Sequence, residues 1–201
     1  ANNDVFTGGA GNDSIVGGAG TDRLIEAGDV NFSLSDAALT GLGSDVLSGL
    51  EEAELTGGVS ANAIDASGFS GVTTLTGGDG NDAITGTGQD DVISAGLGDD
   101  TVNGGAGTDL FLEEGDVDFV LTNSALSGLG ADVLSNLEMV RLTGGDGANS
   151  IDASGFSGEA SLFGGDGDDT LIGGAAPIFI DAGAGNDELT GGGGTNNLLG
   201  G

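Results

Sequence analysis

Among 201 residues, 33 are acidic and only Arg23 and Arg141 are basic, a formal charge of -31 that argues against nucleic acid or an anionic bilayer as direct partner and leaves cations as the natural ones. With 45 Gly, one Pro and 4% aromatic residues, a conventional packed core is not expected. Cys and His are absent, which closes off disulfides, thiolate metal sites and imidazole catalysis.

The chain opens in the tail of a nine-residue unit, Asn3-Asp4-Val5-Phe6-Thr7, and continues with GGAGNDSIV (8–16) and GGAGTDRLI (17–25). From Glu26 the pattern loosens through EAGDVNFSL into a passage from Ser35 to Thr56. There Ser35 or Asp36 can cap one helical turn through Leu39, and Glu51 to Thr56 alternates like a strand. A degenerate unit, GGVSANAID (57–65), puts Asn62 where Asp is expected, and ASGFSGVTTLT (66–76) has eleven residues rather than nine.

From Gly77 to Leu112 four units follow without a break: GGDGNDAIT, GTGQDDVIS, AGLGDDTVN and GGAGTDLFL. Then comes EEGDVDFVL (113–121), and residues 104–175 align with 17–88 at a constant offset of 87. GLGSDVLSGLEEAELTGG returns as GLGADVLSNLEMVRLTGG, and IDASGFSG returns letter for letter. The last run, from Gly164, reads GGDGDDTLI, GGAAPIFID, AGAGNDELT and GGGGTNNLL. The expected organisation is one continuous repeat rod over 1–201, with 87-residue blocks at 8–94 and 95–181 and the start of a third at 182–201. Its phase is mid-unit at both ends, as in a section of a longer array. No hydrophobic run approaches the ~20 residues of a spanning helix, and any targeting signal is expected outside this stretch.

Position eight of the unit is apolar throughout: Phe6, Ile15, Leu24, Ile84, Ile93, Val102, Phe111, Leu171, Ile180, Leu189 and Leu198. A three-residue strand centred there points its middle side chain one way and its neighbours the other. Two such strands back to back make an eighteen-residue turn, and turns stack ~4.8 Å apart. The six remaining residues reverse direction at a corner, which is where Gly is needed. Stacking superposes Asp82 on Asp100 and Asp91 on Asp109, and carboxylates roughly 5 Å apart in a partly dry corner must bind a cation, take up protons or separate. Ca2+ suits such oxygen-rich corners better than Mg2+, which demands tighter octahedral geometry, or Zn2+, which prefers nitrogen and sulfur. Without a cation the chain is expected to be disordered.

Gly-Gly-x-Gly-x-Asp followed by an apolar residue two places on resembles the RTX, or haemolysin-type calcium-binding, nonapeptide. The resemblance covers about half the chain, and 35–76 and 122–163 depart from it. It implies an all-β, right-handed parallel β-roll, export by type I secretion, and calcium-triggered folding outside the cell. It also implies several Ca2+ ions held between corners n and n+2 by position-six side chains and main-chain carbonyls. Carried onto this sequence, the pairs are Asp4 with Asp22, Asp82 with Asp100, Asp91 with Asp109, Asp100 with Asp118, Asp169 with Asp187, and Asp13 with Asn31. The corner glycines are Gly8, Gly9, Gly11, Gly77, Gly78, Gly80, Gly104, Gly105, Gly107, Gly164, Gly165 and Gly167. A site at Ile178 with Asn196 is expected to be absent, and Pro177 beside it to distort its corner.

The other acids, Asp36, Asp45, Glu51, Glu52, Glu54, Glu113 and Glu114, read as solvated surface, and Phe32, Phe69, Phe119 and Phe156 as packing. Ser and Thr are many but lack an activating partner, so no catalysis is expected. The expected function is a secreted calcium-binding structural region, a rod or fibre segment of an extracellular or cell-surface protein that can associate end to end with copies of itself. The alternatives are an adhesin or carbohydrate-binding module, or the calcium-binding appendage of a secreted hydrolase.

Overall fold

A computed structural model describes residues 2–201 as two compact units, one ending at Asp109 and one spanning Leu110–Gly201. Both are built from the alternation around position eight, with short strands joined by glycine-rich corners. Among the described residues there is no helix, and hence none long and apolar enough to cross a membrane.

The first unit contains β1 (Val5–Phe6), β2 (Ser14–Val16), β3 (Arg23–Ala27), β4 (Phe32–Ser35), β5 (Ala38–Thr40), β6 (Ser44–Ser48), β7 (Glu52–Thr56), β8 (Ala63–Gly68), β9 (Val72–Asp79), β10 (Ala83–Thr85), β11 (Val92–Leu97) and β12 (Thr101–Asn103). One sheet has the order β1-β3-β7-β9-β11 and the other β2-β6-β5-β4-β8-β10-β12. The regular turns pair in parallel with position eight over position eight: Phe6 opposite Leu24, Leu75 opposite Ile93, Ile84 opposite Val102. Outside them the ladder persists with longer connections, so that Ile15 faces Leu47, Leu24 faces Ala53, and Ile64 faces Ile84.

The passage expected to hold a helical turn at Ser35–Leu39 is instead a hairpin. Strands β4 and β5 are antiparallel, with Leu34 opposite Leu39 and Asp36-Ala37 as the turn, and β6 runs antiparallel to β5. Period-two patterning decides it: Phe32, Leu34, Leu39 and Leu47 are all buried, between outward Ser33 and Val46, an arrangement no helical turn provides. The Ser35 hydroxyl, read as a helix cap, accepts the Ala38 N–H across the hairpin turn. The otherwise parallel fold therefore carries a three-stranded antiparallel meander.

The second unit contains β13 (Leu110–Glu114), β14 (Phe119–Thr122), β15 (Ala125–Ser127), β16 (Ala131–Ser135), β17 (Met139–Thr143), β18 (Ser150–Gly155), β19 (Glu159–Asp166), β20 (Thr170–Ile172), β21 (Ile178–Ala184), β22 (Glu188–Thr190) and β23 (Asn197–Leu199). Its sheets have the orders β13-β17-β19-β21-β23 and β16-β15-β14-β18-β20-β22, again with the meander in the second. Ser48-Gly49-Leu50 in the first unit corresponds to Ser135-Asn136-Leu137 in this one. Gly49 has φ 64° and Asn136 φ 52°, so the same left-handed corner is made once with Gly and once with the residue that best tolerates it.

The core is the position-eight ladder plus the four repeated phenylalanines: Leu24, Ile93, Val102, Phe111, Phe119 and Leu171 are fully buried, and Phe32, Phe69 and Phe156 nearly so. Phe6 and Leu189 are half-buried, and Leu198 is 41% exposed. Each fully buried Leu, Ile or Phe contributes about 1.5–3 kcal/mol, which offsets the conformational entropy that a chain this rich in glycine loses on ordering.

Candidate metal centre

At the corners, backbone amides of one turn are taken up by side chains of another in two ladders of opposite direction. At position six, the N–H donates forward: Asp4 to Asp22 Oδ1 (2.8 Å), Asn62 to Asp82 (2.7 Å), Asp82 to Asp100 (2.7 Å), Asp91 to Asp109 (2.9 Å), Asn149 to Asp169 (2.8 Å) and Asp169 to Asp187 (2.9 Å). At position five, the N–H donates backward: Thr21 to Asn3 Oδ1 (3.0 Å), Asp99 to Asn81 (3.1 Å), Thr108 to Asp90 (2.8 Å) and Asn186 to Asp168 (2.8 Å). Position five was not recognised in the sequence, since an exposed Asn or Asp there looks like any solvated residue.

The forward ladder uses one carboxylate oxygen and strands the other. Asp22, Asp82 and Asp169 are 0%, 2% and 1% exposed, and the Oδ2 of each is buried without a hydrogen-bond donor. Each of these oxygens lies against the first glycine of its own corner beside a carbonyl oxygen from a neighbouring turn. A Cβ added at Gly77 would collide with Asp82 Oδ2 and the Ala95 carbonyl, at Gly164 with Asp169 Oδ2 and the Ala182 carbonyl, and at Gly17 with Asp22 Oδ2 and the Gly49 carbonyl. Burial holds the Asp82, Asp100 and Asp169 carboxyls above the ordinary value, against the lowering effect of the N–H each accepts. The exposed Asp29 and Asp168 are held below it, Asp29 chiefly by the Ser60 hydroxyl and Asp168 by the Asn186 N–H.

These corners share a backbone signature. Positions two and four have positive φ at Gly18 and Gly20, Gly78 and Gly80, and Gly165 and Gly167. Gly9 and Gly11, before Asp13, and Gly105 and Gly107, before Asp109, have it too. Only glycine adopts this geometry without strain, and it leaves the position-two N–H turned away from the position-six side chain.

A second kind of corner closes on itself. In 57–62 and 144–149 the N–H of Gly58 and of Gly145 donates to the Oδ1 of Asn62 (2.8 Å) and Asn149 (2.9 Å), while their amide nitrogens donate to Asp29 (3.3 Å) and Asp116 (3.1 Å). Corner 86–91 does the same with an Asp: the N–H of Thr87 donates to Asp91 Oδ2 (2.6 Å). Gly58, Thr87 and Gly145 all lie outside the positive-φ region.

Several expected assignments change. Asp13 does not stack on Asn31: its N–H donates to Asp45 Oδ1 (2.9 Å), while Asn31 Oδ1 accepts from Ala63 (2.8 Å). The reason is that β6, not the next nonapeptide, lies beside β2. Asp118 is exposed and accepts the Ser150 N–H (2.8 Å) within its own unit. Asp45, read as solvated, is 4% exposed, and Glu113, read the same way, is 5% exposed. Glu51 accepts the Asp22 N–H (2.9 Å), Asp36 accepts from Ser70 (2.7 Å), and Glu54 pairs with Arg23. Glu26, 2% exposed, takes the N–H groups of Gly8 and Gly9, two glycines expected in a cation site. Ile178 is buried and Asn196 Oδ1 lacks a donor, with no positive φ at Gly174 or Gly192 in those two corners.

The signal for Asp45 was present. TGLGSDVLS (40–48) is a nonapeptide with Thr in place of the first Gly, and its equivalent is SGLGADVLS (127–135), whose Asp132 is 3% exposed. Ser44 donates to Asn12 Oδ1 (3.0 Å) and Leu47 lies opposite Ile15, so both ladders and the core row pass through it.

A buried carboxylate oxygen without a donor, facing a main-chain carbonyl in a cradle too tight for any Cβ, calls for a hard cation that accepts oxygen ligands. Among the described residues no three acidic side chains converge on one point, so carbonyls must supply much of any coordination sphere. Ca2+ fits that donor set, with Asp22, Asp82 and Asp169 and the carbonyls beside them as the groups that would hold it. Comparison with curated proteins returns no match. The profile of the RTX calcium-binding nonapeptide repeat matches four copies, at residues 1–25, 76–111, 154–176 and 179–201, just over half of the chain. On the strength of those four matches and of corners built for a hard cation, the chain belongs to the RTX calcium-binding nonapeptide repeat family, whose members are typically secreted.

Proposed function

We propose that the chain is a calcium-folded structural segment of an extracellular or cell-surface protein, serving as part of a rod or fibre and carrying no catalytic role. The supporting observation is the set of unpartnered Oδ2 atoms on Asp22, Asp82 and Asp169, each a cost to the cation-free fold that a bound cation removes. Extracellular modules bind Ca2+ with dissociation constants near 10⁻⁴–10⁻³ M, and tenfold excess over such a constant contributes about 1.4 kcal/mol per site. Three such sites together contribute about 4 kcal/mol, close to the low end of the ~5–15 kcal/mol net stability of a domain. The test is far-UV circular dichroism in millimolar Ca2+ and in EDTA. Loss of the β signal on chelation supports the reading, and a native signal in EDTA overturns it. Light scattering over a range of concentrations in Ca2+ tests the fibre: growth in mass with concentration supports it, and monodisperse monomer does not.

A carbohydrate-binding role has one observation in its favour. On the outer face of the β17-β19-β21 sheet, the Arg141 guanidinium lies 4.7 Å over the Phe163 ring, and Phe163 and Phe179 are 5.6 Å apart. Beside them Met139, Glu159, Ser161 and Asn197 line a cavity of about 270 Å3. Half-buried aromatic faces next to polar groups suit a sugar ring. Titration of neutral and acidic oligosaccharides by calorimetry, with Phe179→Ala as control, decides the point.

A further inference from the structure

Corner 86–91 has the family spacing, an Asp at position six and a Gly at position one, yet its carboxylate is already fully occupied. Asp91 Oδ1 accepts the Thr73 N–H (2.7 Å) and hydroxyl (2.8 Å); Oδ2 accepts the Thr87 N–H (2.6 Å) and hydroxyl (2.9 Å). All three residues are buried, at 1% exposure for Asp91, 3% for Thr73 and 4% for Thr87. Four donors on one carboxylate replace what a cation would supply. By contrast Asp82, nine residues earlier and just as buried, has one donor on Oδ1 and none on Oδ2.

We propose that Thr87 selects which corners take calcium, making 86–91 a cation-free staple and confining Ca2+ to corners with glycine in the left-handed conformation at position two. The idea rests on the calcium-binding reading above. Thr can stand at 87 because φ there is not positive, and it turns its N–H and hydroxyl inward. At Gly78 or Gly165, with φ 111° and 109°, a Thr would be strained.

The second unit carries the same corner with the staple removed as a set. The counterparts of Thr73, Thr87 and Asp91 are Ala160, Gly174 and Ile178. Ala160 and Ile178 are 6% and 4% exposed, so an apolar contact fills the space of the carboxylate and its two threonines. An isoleucine binds no cation, and the corner still forms. Loss of all three polar groups together is what a single hydrogen-bonded unit requires, since any one left behind would be buried without partners.

The experiment is calcium stoichiometry on the 201-residue chain, by calorimetry and by metal analysis after equilibrium dialysis, for wild type, Asp82→Asn, Asp91→Asn and Thr87→Gly. Asp82→Asn is expected to lose at least one equivalent, Asp91→Asn none, and Thr87→Gly to gain one by restoring Gly-Gly at the corner. Circular dichroism in saturating Ca2+ establishes that each variant is folded. Thr87→Ser, which keeps the hydroxyl, serves as a control and retains wild-type stoichiometry. Loss of an equivalent in folded Asp91→Asn, or no gain in folded Thr87→Gly, overturns the inference while leaving calcium binding intact. No stoichiometric calcium on the wild type overturns the reading beneath it instead.

Discussion

Asp13 and Asp45, 32 residues apart, make the contact that Asp82 and Asp100 make at a spacing of 18: a position-six N–H donating to the position-six Oδ1 of the adjacent turn, at 2.9 Å and 2.7 Å. The meander between them is thus spliced into the stack without breaking it. Replacing Asp45 by Ala leaves the part-buried Asp13 amide without its acceptor and is expected to cost about 1 kcal/mol. Asp45→Asn keeps an acceptor and should cost less than half as much, as read by urea midpoints in saturating Ca2+.

Calcium enters the stability of the chain as a ligand of the folded state alone. Each tenfold rise in free Ca2+ above the dissociation constant is expected to add about 1.4 kcal/mol per occupied corner. Thermal melts followed by circular dichroism across a calcium series give the slope, and hence the number of sites. Trp and Tyr are absent, so intrinsic fluorescence is a poor substitute.

Acidification is expected to act oppositely on the calcium-free and calcium-loaded chain. Asp82, Asp100 and Asp169 are held above 3.8, chiefly by burial, so the folded calcium-free chain binds more protons than the unfolded one. Its stability then falls as pH rises from 3.8 through the raised values, and returns on acidification through that window. In Ca2+ the same protons compete with the cation, and stability falls as pH drops. In EDTA the far-UV β signal should grow from about pH 7 to about pH 4.5, while urea midpoints in millimolar Ca2+ should fall over the same range. Asp82→Asn should flatten both.

Asn136 occupies a left-handed conformation, φ 52°, where the first unit has Gly49. Asn136→Gly is expected to be near neutral, while Asn136→Val should cost about 1–3 kcal/mol of backbone strain. Differential scanning calorimetry in Ca2+ distinguishes the two.

How much of this was legible depended on whether a residue answers to a period. Position eight did, because each of its side chains must be apolar to enter the core, and the ladder Leu75, Ile93 and Ile84, Val102 falls where the nonapeptide places it. Position six showed its Asp but not its two bonding states, which turn on the backbone at position two, where Gly58 and Gly78 are identical letters with different φ. Thr73 was hidden for another reason: the period does place it 18 residues before Asp91, but a Thr inside the eleven-residue unit does not look like a position-six residue. The hairpin at Asp36-Ala37 was mistaken for a helical turn because Ser and Asp cap both structures.

The opposed ladders at positions five and six also fix the alignment of each turn against sliding. A turn displaced by one residue would turn its position-eight side chain outward, and it would also have to release position-six amides held from above, as Asp100 holds that of Asp82, and position-five amides held from below, as Asn81 holds that of Asp99. The corners therefore act as the gauge of the stack, and the meander and the eleven-residue unit as its slack. Length variation among related chains belongs at Asp36-Ala37 and at 66–71, where neighbouring strands already stand 32 and 20 residues apart instead of 18, while an insertion inside a corner would leave both neighbouring turns without their partners.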